Sequence, residues 1–158
     1  MSALPKLPIY ACEPVSAALI WEIEPLLTEH WREIATYKDI ELRPNWGRYR
    51  ELCDQGILHV FTARVGHELV GYAIYFVNHS LHYAGSLQAI QDVIYVSPGA
   101  RAGYLGMKLI QWSEQYLKNL GVQVIVQHQK IAHPALGVVL KRMGYRQVDL
   151  MWSKRLDA

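Results

Sequence analysis

The residues whose types and spacing could do chemistry lie in a glycine-containing turn, Arg101 to Gly106. Gly103 and Gly106 allow the backbone to approach an anion closely. A helix that begins at such a turn also presents unpaired N–H groups and partial positive charge. This combination is typical of pyrophosphate binding at a helix N-terminus. In the alternative interpretation, the glycines only shape a turn between a strand and a helix.

The other reactive residue types form no complete constellation. Cys12 and Cys53 are the only cysteines, and they lie far apart without a partner motif, which indicates reduced thiols in a cytoplasmic protein. His79 and His82 have the spacing of a metal-ligating pair, but no further Cys or His completes a set of four. We therefore expect no metal site and interpret the two histidines as loop residues.

Two helices are predicted in the first third of the chain. Apolar residues recur at helical spacing between Leu19 and Ile34, and Pro25 is expected to start or kink the second part of this helix. A second helix is predicted over Trp46 to Asp54, and Gly56 is suited to its C-terminal end.

The following segments predict strands that alternate with helices. The segments Ile57 to Arg64 and Leu69 to Val77 are rich in β-branched and aromatic residues, and the Gly66-His67 pair between them indicates a hairpin. Next come a strand over Gln88 to Ser97 and a helix over Leu105 to Leu120. The remaining predicted elements are a strand over Val122 to Gln129, a helix from Pro134 to Gly144, and a last strand over Tyr145 to Lys154.

Composition places the chain among globular proteins. The 158 residues are 51% apolar, which excludes a disordered chain and fits one domain over residues 1–158. The apolar run from Val15 to Ile23 falls well short of the ~20 residues that cross a bilayer, and the first residues lack the layout of a signal peptide. A formal net charge of +2 does not favour nucleic acid. We expect a single-domain cytoplasmic protein without membrane contact.

The strand, turn and helix around the glycines resemble motif A of the GNAT acyltransferases, usually written V-x-P-x-x-R-G-x-G-x-G-x-x-L. The residues at matching positions are Val96, Pro98, Arg101, Gly106 and Leu109. The stretch from His133 to Tyr145 resembles motif B, and Leu69 to Tyr72 resembles part of the family's hairpin. The resemblance implies an α/β fold with a mixed, mostly antiparallel sheet, a central parallel β-α-β unit and helices on both faces.

The resemblance also implies acetyl-CoA as a co-substrate and no metal. The residues that it assigns to acetyl-CoA are Tyr95, Val96, Arg101, Ala102, Gly103, Tyr104, Leu105, Gly106, Met107 and His133. The sequence departs from the motif at Ala102 and Tyr104, where glycines usually stand, and Gly103 is shifted by one position. The ring of Tyr104 is expected either to crowd the pyrophosphate or to stack on the cofactor.

Direct acyl transfer to an amine needs a group that removes a proton, because only about one lysine-type amine in a thousand is neutral at pH 7. The family often places this group on the fourth strand, where Gln91 aligns with a glutamate and Asp92 remains as a candidate base. His128 is the second candidate. In the alternative interpretation, Asp92 accepts backbone N–H groups and His128 is an ordinary strand residue. Leu140 stands where the family often has a tyrosine, and Val96 is expected to offer an N–H to the oxyanion.

The expected acceptor is an amine of a small molecule or a protein. Acidic residues outnumber basic ones between Glu13 and Glu41, which favours a cationic amine, although a solvated helix face explains the bias equally simply. Two other functions stay open: a non-catalytic acyl-CoA-binding sensor or interaction module, favoured by Gln91 and Leu140, and a nucleobase-modifying enzyme. The latter would need a basic, aromatic-lined groove for nucleic acid, which this near-neutral sequence does not indicate. A homodimer is common in the family, but nothing in the sequence requires one.

Overall fold

The computed structural model describes residues 6–157. Within this range the chain forms five strands, four α-helices and one short 3-10 turn. In chain order these are β1 (Pro8–Glu13), α1 (Ala17–Ile34), α2 (Trp46–Asp54), β2 (Leu58–Val65), β3 (Glu68–His79), β4 (Leu87–Val96), the 3-10 turn (Pro98–Ala100), α3 (Leu105–Asn119), β5 (Val124–Val126) and α4 (Ala135–Arg142).

The chain divides into two compact units. The first ends at His128 and contains the sheet with α1, α2 and α3, whereas the second begins at Gln129 and contains α4. In the second unit Pro134 precedes α4, and Gly144 follows it with a φ of 91°, in the left-handed region that favours glycine. None of the helices in the described range is both long and apolar enough to cross a membrane.

A five-stranded sheet organises the first unit, in the order β1-β2-β3-β4-β5. The first four strands pair antiparallel, and β4 pairs with β5 in parallel. Because α3 connects this parallel pair, the predicted β-α-β unit is confirmed. The predicted fold class, a mixed and mostly antiparallel sheet with helices on both faces, is confirmed as well.

Two apolar clusters hold the helices against the sheet. Phe61, Tyr75 and Leu109 belong to the cluster between the sheet and α3. Ile23 and Tyr72 belong to the cluster on the side of α1 and α2. Burying a large apolar side chain stabilises a fold by roughly 1.5–3 kcal/mol, so both clusters fix the position of β4, which contributes residues to each.

Side-chain caps define where α1 and α2 begin. The Ser16 hydroxyl accepts a hydrogen bond from the Leu19 N–H at 3.1 Å, and the Asn45 side chain accepts one from the Arg48 N–H at 3.0 Å. The predicted bounds of α2 are confirmed. α1 runs through Pro25 as one helix, so this proline does not start a new helix.

The two ends of the chain differ most from the sequence prediction. Pro8–Glu13 was not predicted as a strand, yet it forms β1 through antiparallel pairing with β2. Conversely, the strand predicted over residues 145–154 is wrong, because no strand is present there. Val148, Leu150 and Trp152 alternate as in a strand, but their side chains are exposed. An alternating pattern does not supply the partner strand that a ladder requires.

Candidate active site

The glycine-containing turn lies where β4 ends and α3 begins. A short 3-10 turn, Pro98–Ala100, follows β4, and Gly103 adopts a φ of 103° before α3 starts at Leu105. No side chain caps the first turn of α3. The N–H groups of that turn also lack intrahelical acceptors. The turn therefore presents backbone donors at the positive end of a helix dipole.

The turn has room for a bound group. A Cβ atom added to Gly103 would meet no heavy atom within 4 Å, and one added to Gly106 would meet only Val96 Cγ2, at 3.5 Å. Tyr104 is 69% exposed, so its ring does not fill the space where the family usually has a glycine. The other predicted cofactor residues of this segment are Ala102, which is exposed, Leu105, which is buried, and Met107, which is half-buried.

A cavity of about 620 Å³ opens beside the turn. Its walls include Tyr10 from β1, Val70 from β3, and Ser97, Tyr104 and Lys108 from the turn and α3. Neither Asp92 nor His128 lines it. This cavity therefore lies next to the backbone N–H groups that are proposed to bind pyrophosphate, but the candidate bases do not line it.

Tyr95 and Arg101 direct their side chains to α1. Tyr95 is buried, its hydroxyl donates a hydrogen bond to Glu29 Oε2 at 3.2 Å, and its ring stacks on that of His30. The Arg101 guanidinium is paired with Glu33. Any contact of Tyr95 with a cofactor would therefore use its backbone.

Asp92 lies at an irregularity in β4. Ile74 pairs with Val93 and Tyr75 pairs with Gln91, so Asp92 has no partner in the ladder. Such bulges change the direction of a side chain and are common beside active sites. The bulge places the Asp92 carboxylate toward α2, where it accepts a hydrogen bond of 3.4 Å from the Tyr49 hydroxyl.

The surroundings of Asp92 shift its pKa in opposite directions. Desolvation by neighbouring protein atoms raises the pKa of Asp92, while the Tyr49 hydrogen bond and the charge of His128 lower it. For Tyr49, burial and the neighbouring carboxylate raise the pKa to about 12, so the phenol stays protonated as a donor. The two candidate bases therefore share one electrostatic environment, and Asp92 keeps contact with solvent.

Gln91 and Gln127 form side-chain hydrogen bonds just beyond the point where the parallel pairing of β4 and β5 ends. Ile90 is the last β4 residue paired with β5. Beyond it, the buried Gln91 side chain accepts a hydrogen bond from the His128 N–H at 3.0 Å, and Gln127 bonds to the Tyr75 hydroxyl. Gln91, which the motif resemblance aligns with a glutamate, thus holds the backbone of His128 in place.

His133 belongs to the second unit. Its N–H donates to the Lys130 carbonyl at 3.0 Å, shortly before α4. Leu140, in α4, is buried. Cofactor contact by His133 stays a prediction.

The contacts that α1 and α2 make with β4 and the turn were not predicted from the sequence. Tyr49 lies 43 residues before Asp92, and Glu33 lies 68 residues before Arg101. No local pattern signals such pairs. As for metals, residues 6–157 contain no group of three or more His, Cys, Asp or Glu side chains that could hold an ion. Cys12 and Cys53 are both free thiols.

The chain belongs to the acetyltransferase (GNAT) family, whose model matches residues 20–145. The match covers the turn, Asp92, His128 and the helices that contact β4. No curated protein is similar enough to the chain to count as a match.

Solved structures with the same fold include several acetyltransferases. A ribosomal-protein-alanine N-acetyltransferase from Brucella melitensis biovar Abortus 2308 has a TM-score of 0.74 at 17% identity, with 95% of this chain and 99% of that chain covered. An aminoglycoside acetyltransferase from an uncultured soil metagenomic sample, in complex with sisomicin, gives 0.73 at 14%, covering 95% and 97%. A predicted acetyltransferase with acetyl-CoA from Clostridium acetobutylicum gives 0.68 at 11%, covering 95% and 97%. At these identities the likeness establishes the fold alone.

Proposed function

We propose that the protein is an N-acetyltransferase that transfers an acetyl group from acetyl-CoA directly to an amine. The observation that carries this proposal is the uncapped, glycine-containing start of α3, directly after the strand that carries Asp92. β4 thereby carries a candidate base, and the turn with the backbone donors follows its end.

The turn fits the pyrophosphate of acetyl-CoA. Gly103 and Gly106 leave open space, and the first-turn N–H groups of α3 have no side-chain acceptor. Residues 101–107 would bind the pyrophosphate through their backbone, and the backbone of Tyr95 and Val96 would contact the pantetheine arm. Acetyl-CoA supplies an activated acyl thioester when bound. A thiol with a pKa of about 8.5 is a fair leaving group, so the absence of a tyrosine at Leu140 is compatible with transfer.

Asp92 would take the proton from the incoming amine, directly or through water. Desolvation raises the pKa of Asp92, which brings the carboxylate closer to the range in which a base is effective at neutral pH. His128 lies close enough for its charge to lower the pKa of Asp92, and it is the second candidate base. Val96 would offer its backbone N–H to the developing oxyanion.

The acceptor is proposed to be an amine of a small molecule or a protein. Most of the acidic side chains that suggested a cationic acceptor are engaged within the protein: Glu13 and Glu22 with Arg64, Glu24 with Trp46, Glu29 with Tyr95, and Glu33 with Arg101. A preference for cationic amines would therefore rest on Asp92. Glu24, Glu29 and Glu33 contribute to the shape of the site instead.

The test is an acetyl-transfer assay in which free CoA thiol is measured with an amine panel: an aminoglycoside, a polyamine and a peptide with an N-terminal alanine. We expect turnover with at least one amine, and a reduction of kcat by about 100-fold or more in Asp92→Asn, because a positioned base contributes about 10²–10⁴-fold. The matched control is Asp54→Asn, the same change at the exposed end of α2. Full activity of Asp92→Asn between pH 6 and 9, about the range in which such a base would titrate, would exclude Asp92.

A non-catalytic acyl-CoA-binding module is the second candidate. The observation that favours it is the hydrogen bond between the Gln91 side chain and the His128 N–H, which gives a structural role to the position of a frequent catalytic glutamate. This candidate predicts acetyl-CoA binding without thiol release for any amine. Thiol release that depends on an amine would eliminate it.

A further inference from the structure

The Arg101 side chain joins the first residue of the cofactor turn to two other elements. Its Nε donates a hydrogen bond of 2.8 Å to the Val96 carbonyl at the end of β4. Its Nη1 and Nη2 donate to the two carboxylate oxygens of Glu33 on α1, at 3.0 Å and 2.6 Å. This two-point geometry is the one in which an arginine is both strongest and most specific in direction.

The neighbouring side chains extend this connection along α1. The Arg101 guanidinium carbon lies 5.3 Å from the centre of the Tyr95 ring, within the range of a cation–π contact. The same ring stacks on His30 at 4.8 Å, and its hydroxyl bonds to Glu29. Glu29, His30 and Glu33, all in the last turns of α1, thus hold both the end of β4 and the start of the turn.

We propose that Arg101 is a positioning residue, which clamps the cofactor turn to α1 through Glu33 and does not itself neutralise the pyrophosphate. Its Nε, Nη1 and Nη2 all donate to protein acceptors, and its charge is balanced by a carboxylate at 2.6 Å. The clamp would keep the N–H groups of α3 oriented before the ligand arrives, which lowers the cost of ordering the turn on binding. This inference rests on the proposed function, since it assigns a role within the same cofactor site.

Arg101→Gln and Glu33→Gln, alone and together, distinguish the clamp from a direct charge contact. The clamp predicts that each single change weakens CoA binding by about three- to tenfold, because a partly exposed but two-point ion pair contributes modestly. The double variant should bind no more weakly than the weaker single variant. If Arg101 instead contacted the pyrophosphate directly, Glu33→Gln would free the guanidinium for that contact, and the Kd for CoA would be unchanged or lower.

Calorimetric titration with CoA measures these affinities, and thermal unfolding shows whether each variant is folded. Arg32→Gln, which removes the same charge from an exposed neighbouring position of α1, should leave the Kd within twofold of wild type. Arg101→Lys should not restore affinity, because an ammonium cannot make the two-point contact. An unchanged Kd in folded Glu33→Gln would overturn the clamp. A wild-type protein that does not bind CoA would instead overturn the proposed function.

Discussion

At the residue scale, the direction of one side chain decides which chemistry the site can support. A bulge in β4 leaves Asp92 without a ladder partner, and the carboxylate meets the Tyr49 hydroxyl from α2. In a strand, successive side chains point to opposite faces of the sheet. Gln91, the residue before Asp92, has a different partner, because its side chain bonds to the His128 backbone just after β5. Two adjacent polar residues thus differ in their partners: Gln91 holds the His128 backbone, whereas Asp92, the proposed base, meets Tyr49.

Tyr49→Phe tests the environment of Asp92. The Tyr49 hydrogen bond lowers the pKa of Asp92 against the effect of desolvation, so its removal should raise this pKa further. A base must be deprotonated to act, so the acidic limb of the pH profile of kcat should move to higher pH. We expect little change in the Kd for CoA. The measurement is the dependence of kcat on pH, followed to a pH low enough to include the acidic limb.

Trp46→Phe is the control for this prediction. It changes a neighbouring aromatic residue of α2 whose indole N–H bonds to Glu24 and not to Asp92. Its pH profile should match that of wild type. An acidic limb that stays in place in Tyr49→Phe would contradict the role assigned to Tyr49.

At the scale of the elements, Arg64 ties three of them together. From β2 it donates hydrogen bonds to Glu13 of β1, at 2.8 and 3.1 Å, and to Glu22 of α1, at 2.5 and 3.1 Å. Thr62 also donates to Glu13. These side chains are mostly shielded from solvent, so the network should contribute more than an exposed ion pair.

We expect Arg64→Ala to lower the free energy of unfolding by about 2–4 kcal/mol, since it leaves two carboxylates without their cation. Arg48→Ala, which removes an exposed pair with Glu51, should cost less than about 0.5 kcal/mol. Urea denaturation of both variants measures the difference. Equal stabilities of the two variants would contradict the prediction that the Arg64 network contributes more than the exposed Arg48–Glu51 pair.

The pH dependence of this effect follows from Glu13. The bond from Arg64 is the main cause that lowers the pKa of Glu13 below its ordinary value of 4.5. A carboxyl whose pKa is lowered by folding stabilises the fold above its unfolded pKa, and this contribution is lost as the pH falls through the folded pKa. The gap between wild type and Arg64→Ala should therefore be full at pH 7 and shrink below about pH 4.

The elements differ in how far the sequence could predict them. The bounds of α2 were predicted because Asn45 and Gly56 are local signals that lie beside it. β1 was not, because six residues form a strand only through β2, which lies about 50 residues away. Residues 145–154 are the opposite case, because they have the alternating pattern of a strand but form none without a partner strand. Local patterns define helices well, whereas a strand also depends on a partner that they do not specify.

At the scale of the whole molecule, the sequence indicated a candidate site but not the long-range contacts that hold it. The turn between β4 and α3 was found from Gly103 and Gly106, and the candidate base from its strand. The contact of Tyr49 with Asp92 of β4 and that of Glu33 with Arg101 of the turn cross the fold, and they arise only when the sheet and helices pack together. The carboxylates of α1 illustrate the difference: sequence suggested an acceptor surface, whereas the structure uses Glu29 and Glu33 to hold β4 and the turn.

Calorimetric titration of acetyl-CoA into the purified protein tests the central claim most directly, with desulfo-CoA and ATP as ligand controls and Gly106→Trp as the control variant. A Cβ fits at Gly106, so this variant should fold, but its indole would occupy the space of the pyrophosphate. We predict micromolar binding of acetyl-CoA and desulfo-CoA, much weaker binding of ATP, and no binding to Gly106→Trp. Absence of acetyl-CoA binding at millimolar concentration, or unchanged affinity in folded Gly106→Trp, would contradict a cofactor site at the start of α3.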